Sequence, residues 1–315
     1  MPLRAQSRLS RLLLVPLRRA FPSPQQTRHH SVSAHELSHF SNLASSWWDP
    51  MGPSRALHLM NPLRHDFISS CLSDSGTASQ DQGHDYLDIG CGGGIFAESI
   101  ARTIPAGRAR SVTALDPSDT LIGIAREHAR CDPVVADLLA EGRFRYLNRS
   151  VEEHGSLLGL SPSSPAAGTE SAAEAEGKNK GYDIITLFEV LEHIDPASSS
   201  PLSFLSSCLR LLRPGGWLVG STIARSIPSF IVNQVIAEAP WPVGVVPRGT
   251  HEWGKFVNPD EVKAWALRGL ADGEAARHGD MWKCVGVMYF PGLGWKMVDG
   301  SECWGNYFWG VRKGL

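Results

Sequence analysis

The chain has 315 residues, 42% of them hydrophobic, enough to bury the core of one large domain or of one domain with additions. Its formal net charge of -2 provides no basic field for nucleic acid, and no basic stripe runs along it, so a polynucleotide partner is not expected. The six cysteines form no CxxC pair and no zinc spacing, and read as reduced thiols of an intracellular protein.

Before Glu36 the chain carries Arg4, Arg8, Arg11, Arg18, Arg19 and Arg28 among leucines and serines, and no acidic residue. This is the composition of a mitochondrial transit peptide. Residues 1–35 are assigned to that presequence and 36–315 to the mature domain. The apolar run from Leu12 to Val15 is too short to cross a bilayer, and no later segment reaches the ~20 apolar residues that a spanning helix needs. A helical addition follows over 35–70, anchored by Phe40, Leu43, Trp47, Phe67 and Ile68 and broken by a turn at Asp49-Pro50-Met51-Gly52-Pro53. A polar linker then covers 73–83.

A strand over 86–89 leads into Gly90-Cys91-Gly92-Gly93-Gly94 and a helix over 95–102. Such a turn holds nucleotide-bearing ligands, because residues without a Cβ let the backbone approach and the helix start offers N–H groups and a positive dipole end. Asp88 lies just before it. The dinucleotide fingerprint requires glycine where Ile95 stands, which argues against a nicotinamide cofactor. S-adenosylmethionine (SAM) suits the loop better, since its amino-acid end carries no pyrophosphate. A strand over 111–115 reaches Asp116 about 20 residues after the glycines, where a βαβ unit places the carboxylate that takes ribose hydroxyls.

A helix over 118–130 and a strand over 144–147 continue the pattern, and residues 161–180 read as a low-complexity, solvated insert. The apolar run 182–188 is a strand of the kind buried on both faces of a parallel sheet. Glu189, Glu192 and His193 follow it, and their i, i+3, i+4 spacing would bring them to one side of a helical turn at the ligand-binding edge. Two carboxylates and an imidazole there can remove a proton from a hydroxyl or hold a divalent ion. A helix over 200–212 stops at Arg213-Pro214-Gly215-Gly216 and feeds a strand over 217–220, while 286–290 and 306–311 alternate like a terminal antiparallel pair. The expected architecture is α/β and doubly wound, with a Rossmann-like sheet, an N-terminal helical addition and an insertion over 223–258. In that insertion Ile227, Phe230, Ile231, Val235 and Ile236 fall along one helical side, with Trp241 in a second apolar stretch. They either cover the core or meet a membrane surface.

Several blocks together resemble the class I SAM-dependent methyltransferases and, within them, the ubiquinone-biosynthesis O-methyltransferases that act on polyprenylated catechols. They are Ser46-Trp47-Trp48-Asp49-Pro50, Leu57-His58-Leu59-Met60-Asn61-Pro62-Leu63-Arg64, the glycine loop, Val151-Glu152-Glu153-His154, Glu189-Val190-Leu191-Glu192-His193, Arg213-Pro214-Gly215-Gly216, Ser221-Thr222 and Gly249-Thr250-His251-Glu252-Trp253-Gly254-Lys255-Phe256. The glycine loop and Leu-Glu-His are shared with many methyltransferases; the Trp-Trp-Asp, Asn-Pro-Leu-Arg and Gly-Thr-His blocks are more specific. The resemblance implies a seven-stranded, mostly parallel sheet with helices on both faces. It implies SAM contacts from Arg64, Asp88, Gly90, Gly92, Gly94, Asp116 and Phe188, where Phe188 departs from the Ser or Met familiar at that position. It further implies Mg2+ on Glu189, Glu192 and His193, with Glu189 and His193 as the groups acting on the acceptor proton.

The implied substrates are 3,4-dihydroxy-5-polyprenylbenzoate and demethylubiquinol. The implied setting is the matrix side of the mitochondrial inner membrane, peripheral on its lipid surface, within a ubiquinone-biosynthesis assembly. Two alternatives stand beside this. A C-methyltransferase of the same pathway would not be expected to carry Asn61-Pro62-Leu63-Arg64, and a catalytically silent scaffold predicts erosion of Asp88, the glycines and Asp116, all of which are intact. Arg64 has a structural alternative too, a salt bridge between the helical addition and the core. His58, His154 and His251 read as satisfied polar residues, with His251 the second candidate for a base. Trp47, Trp48, Trp241, Trp253 and Trp265 either line an apolar acceptor site or pack in the core.

Overall fold

The computed structural model describes residues 31–32, 38, 46–74, 83–160, 181–195, 198–239, 249, 252–271, 280–290 and 292–315. Residues 1–30, the 161–180 insert, Phe40, Leu43, Trp241 and His251 lie outside the described residues. The helical addition is α1 (Arg55–Asp74), which buries Met60, Arg64, Phe67, Ile68 and Cys71 and carries Pro62 within it. Five strands then run parallel: β1 (His84–Ile89), β2 (Ala109–Asp116), β3 (Phe144–Asn148), β4 (Tyr182–Phe188) and β5 (Leu212–Ile223). Helices α2 (Ile95–Ala101), α3 (Asp119–Ala129), α4 (Pro133–Ala140), α5 (Val151–Leu157) and α6 (Pro201–Arg210) connect them. After α7 (Pro259–Ala271) come β6 (Met281–Phe290), β7 (Gly294–Val298) and β8 (Asn306–Arg312).

The strand order is β3-β2-β1-β4-β5-β8-β6-β7. The doubly wound expectation holds, and the sheet has eight strands where seven were expected. The addition is β7, which pairs antiparallel with β6 and forms the edge. Its sequence, Gly-Trp-Lys-Met-Val, has no long alternating run to announce it. The antiparallel pair of β6 and β8 is as read from the alternation, with Val287 opposite Asn306 and Met281 opposite Arg312. Arg213-Pro214-Gly215-Gly216 differs from its reading as a helix stop followed by a strand. The helix ends at Arg210 and these residues lie inside β5, where the register shifts between Tyr182 and Ile184 opposite. Short helices α4 and α5 begin at side-chain caps, Asp132 and a Ser150–Glu153 capping box.

Alternation sorts each strand between two cores. Tyr86, Ile184, Phe188, Trp217, Val219 and Phe308 face α1 and α2, while Leu87, Ile185, Leu187, Leu218, Tyr307 and Trp309 face α6 and α7. Position 88 shares the first face with Tyr86 and Phe188, which sets Asp88 toward α1. Ser31 and Val32, counted with the presequence in the sequence reading, belong to the folded part: Val32 forms an antiparallel bridge with Ile194.

The fully buried Phe308 ring lies 5.4 Å from Phe67 and 6.0 Å from Phe188, joining the helical addition to the site strand. Phe308→Ala should lower unfolding free energy by about 3–5 kcal/mol, the cost of a large buried aromatic and its cavity. Urea denaturation checks it, and a loss under about 1 kcal/mol would show that α1 packs independently of the sheet.

Candidate active site

The glycine loop joins β1 to α2 with Gly90, Gly92 and Gly94 at φ of 70, 53 and 90°. A Cβ at these positions would meet Val190, Trp47 and the Tyr146 hydroxyl respectively, so both torsion and space demand glycine. Asp116, at the end of β2, braces the loop: its Oδ2 accepts the Gly92 N–H at 2.9 Å and its Oδ1 accepts the Ser118 N–H at 2.8 Å. Burial pushes its carboxyl up to about 6 against those two bonds. From outside, Trp47 lies against Gly92 and Gly93, and Trp48 Nε1 donates to the Gly93 carbonyl at 2.9 Å. Trp48 also stacks on His128 at 3.4 Å, and His128 Nδ1 sits 2.9 Å from the fully buried Glu98 carboxylate.

Asp88 and Thr186 are opposite one another in register, and Thr186 Oγ1 donates to Asp88 Oδ1 at 2.6 Å. Burial raises the Asp88 carboxyl to about 7, with the Thr186 bond and the Arg64 charge opposing. Arg64 reaches in from α1. Its Nη1 donates to Asn61 Oδ1 at 3.0 Å, and its guanidinium lies 4.8 Å from the Phe188 ring centroid. Asn61 in turn donates from Nδ2 to the Ile95 carbonyl at 3.1 Å, tying α1 to the start of α2. Among the described residues Arg64 makes no salt bridge, so the structural alternative for it is not what is seen. Arg64 Nε and Asp88 Oδ2 are buried with no hydrogen-bond partner in the protein. A buried cationic donor and a buried acidic acceptor, each with capacity left over, fit the α-carboxylate and α-ammonium of SAM.

Beyond Phe188 the backbone turns through Glu189 at φ 56°, a left-handed conformation unusual for a residue with a Cβ. The Glu189 N–H is held by the Ser221 carbonyl and hydroxyl, each at 3.2 Å, and Ser221 Oγ donates to Glu189 Oε1 at 2.6 Å. Only Leu191–His193 forms a turn, and it is 3-10. The expected α-helical convergence of Glu189, Glu192 and His193 is therefore corrected. Glu189 stands outside the turn, and a 3-10 turn spaces side chains differently. Glu192 is buried and accepts from Thr222 Oγ1 at 2.7 Å. Burial and then the Glu189 charge push its carboxyl up to about 8, with His193 opposing. Among the described residues, no three His, Cys, Asp or Glu side chains are grouped to hold a metal ion.

A methyltransferase-domain family model matches residues 58–269. The mitochondrial ubiquinone biosynthesis O-methyltransferase of Schizosaccharomyces pombe is 39% identical over 237 residues, 75% of this chain and 72% of that protein. The chain belongs to the ubiquinone biosynthesis O-methyltransferase family. The member from Alkalilimnicola ehrlichii is 34% identical over 246 residues, covering 78% of this chain and 81% of its own. A mitochondrial member from Candida albicans is 31% identical over 320 residues, covering 90% and 86%. The fold is shared with a plantazolicin methyltransferase solved with a desmethyl substrate analogue and S-adenosylhomocysteine, at TM-score 0.50 and 15% identity, covering 89% and 97%.

Within this O-methyltransferase the glycines, both aspartates and Arg64 lie together at one edge of the sheet, and side-chain hydroxyls to which the sequence assigned no role hold the acidic residues there. Thr186, Ser221 and Thr222 fix Asp88, Glu189 and Glu192. Their signal was hydroxyls at the carboxyl ends of two adjacent strands, legible only once β4 and β5 are known to be neighbours. His58 and His154 are local bonding partners, of the Trp47 carbonyl at 3.2 Å and of the Tyr182 hydroxyl at 2.8 Å. Trp265 packs against the second core, and Trp47 and Trp48 serve the glycine loop.

Asp116→Ala should weaken SAM binding by about 1.5–3 kcal/mol, the range for a hydrogen bond to a charged group. Because the folded carboxyl is raised to about 6, wild-type affinity should also fall as pH drops below that value and the acceptor is protonated. Calorimetry between pH 5 and pH 8 (roughly one unit below and two above that value) tests both, and a variant that binds SAM as tightly as wild type would remove Asp116 from the cofactor site.

Proposed function

We propose that this chain is a SAM-dependent O-methyltransferase of ubiquinone biosynthesis, acting on polyprenylated catechol and quinol intermediates such as 3,4-dihydroxy-5-polyprenylbenzoate and demethylubiquinol. The observation that carries the reading is the pair of unsatisfied buried groups, Arg64 Nε and Asp88 Oδ2, at the edge of the glycine loop. They suit a zwitterionic amino acid, and a silent scaffold would have no reason to retain them. SAM supplies an electrophilic methyl group, which passes in line to the acceptor oxygen as that oxygen gives up its proton. Arg64 and Asp88 orient the amino-acid end, Asp116 takes the ribose, and Gly90, Gly92 and Gly94 allow close backbone approach. The Phe188 ring forms the apolar floor beneath Arg64.

A phenol with pKa near ~10 needs help to ionise at neutral pH. Half-exposed His193 and Glu189 are the proposed proton acceptors, with Glu192 buried behind them. A divalent ion, Mg2+, is the second proposed means, on Glu189, Glu192 and His193. Its support is chemical: oxygen donors of this kind suit Mg2+, and a cation would relieve the repulsion that Glu189 exerts on Glu192. Their side chains do not converge as a three-ligand site as they stand, so ligation requires them to close in. The experiment is SAM-dependent methylation of a polyprenylated dihydroxybenzoate, read by mass spectrometry with and without EDTA. Methyl transfer abolished by chelator and restored by Mg2+ supports the ion; full activity in chelator assigns deprotonation to His193 and Glu189. No transfer under either condition would overturn the acceptor class.

The proposed location is the mitochondrion, peripheral on the matrix side of the inner membrane and within the biosynthetic assembly. Its supports are the arginine-rich, acid-free N-terminus and the mitochondrial names of the yeast relatives. No helix among the described residues is long and apolar enough to cross a membrane. The proposed contact is the helical element Ile227–Ser229 with its continuation Phe230–Ile236. Ile227 is 74% exposed, and Phe230, Ile231, Val232, Val235 and Ile236 are exposed too. This apolar face is turned away from the core, as an interfacial helix requires. Trp253 lies edge-on to Phe230 at 6.4 Å, placing an indole beside it. Replacing Phe230 and Ile231 by Ser should release the enzyme from liposomes in flotation while leaving SAM binding unchanged. Equal flotation of variant and wild type would remove this element from the membrane contact.

A further inference from the structure

Beyond the catalytic edge, the structure assigns a positioning role to residues that the sequence places in the presequence. We infer that Ser31 and Val32 form a strap that holds the Glu192–His193 turn in place, and that the mature enzyme retains them. The Leu191–His193 turn is a single 3-10 turn, too short to hold itself. On its inner side Thr222 anchors Glu192. At its exit the Asp195 N–H donates to the Ser31 carbonyl at 2.8 Å, and Val32 bridges Ile194, which is buried in the second core. The strap is itself fastened elsewhere: Ser31 is 3% exposed and its hydroxyl donates to the Glu152 carboxylate on α5. One serine thus links the exit of the catalytic turn to the helix after β3, two elements separated by the 161–180 insert.

The inference rests on the proposed use of His193 as a proton acceptor for its kinetic consequence, and on geometry alone for its structural one. It also limits processing. Presequence removal after residue 35 would take the strap away, so cleavage must fall before Ser31.

Three measurements test it. Mass spectrometry of the enzyme isolated from mitochondria should find a first residue at or before Ser31; a mature chain starting after Val32 overturns the inference. Chains of residues 31–315 and 34–315 should differ in hydrogen exchange at the Asp195 amide, faster in the shorter chain by about five- to tenfold for one lost hydrogen bond. Equal exchange overturns the strap whether or not either chain methylates anything. If the chains are active, kcat should fall in the shorter one on the order of tenfold or more, as for a slightly misplaced catalytic group. SAM affinity should stay unchanged, since the cofactor groups lie on the opposite core face. In the 31–315 chain, Ser31→Ala should lower kcat and shift its pH profile, and Ser31→Thr should restore both. Parallel losses of kcat, SAM affinity and thermal stability would mean that these residues only stabilise the fold.

Discussion

The structure is governed by the burial of ionisable groups at one edge of a parallel sheet. Asp88, Asp116, Glu192 and Arg64 are all nearly inaccessible to water, and each is costly to bury as an ion unless something opposite in charge or rich in hydrogen bonds meets it. The protein meets each of them halfway. Thr186 satisfies one oxygen of Asp88, two backbone N–H groups satisfy Asp116, Thr222 satisfies one oxygen of Glu192, and Asn61 takes one arm of Arg64. What is left over is a directed shortfall. Arg64 Nε and Asp88 Oδ2 are the groups left without a partner, and a ligand carrying a carboxylate and an ammonium would meet both at once, coupling its binding energy to its orientation.

That shortfall requires the N-terminal addition. The sheet alone brings Asp88 and Asp116 to the edge, but the guanidinium comes from α1, and the loop between them is held by Trp48. The Trp47-Trp48 and Asn61–Arg64 blocks therefore do one job between them. Asn61 fastens α1 to the start of α2, Arg64 reaches from that helix toward Asp88, and the tryptophans close the outer side of the glycine turn. The chain from Glu98 through His128 to Trp48 carries this further, because a buried carboxylate orients the imidazole on which the indole stacks.

The legible parts of the sequence were those where one residue's chemistry decides its neighbourhood. Glycine at positive φ and a carboxylate ending an apolar strand can each be read without knowing the fold. The apolar strand at 182–188 was equally plain, since a core strand of a parallel sheet has no polar face to obscure it. Less legible was whatever depends on which strands are neighbours. Ser221 and Thr222 have no assignable role until β5 lies beside β4, and β7 is a strand only because it lies along the edge of β6 that β8 leaves free. The helical spacing of Glu189, Glu192 and His193 misled for a related reason. Spacing predicts convergence only inside a helix, and here the chain leaves the strand through a left-handed residue pinned to Ser221.

At Ile227–Ile236 packing adds an observation that periodicity cannot supply: the apolar side chains are exposed. A helical stripe of Ile, Phe and Val is the same sequence whether it covers a core or meets a membrane. Here the buried residues of the element are Ser229 and Asn233, joined by a hydrogen bond at 3.3 Å, and the apolar side chains point away. An inverted helix of this kind exposes hydrocarbon that an aqueous surface would not retain, and it follows directly from β5, the strand that carries Ser221 and Thr222. Only a few residues of chain therefore separate the hydroxyls that hold Glu189 and Glu192 from this exposed apolar face. Under the proposed membrane contact, that short connection would bring the ring of an acceptor whose isoprenoid tail stays in the bilayer to the methyl donor.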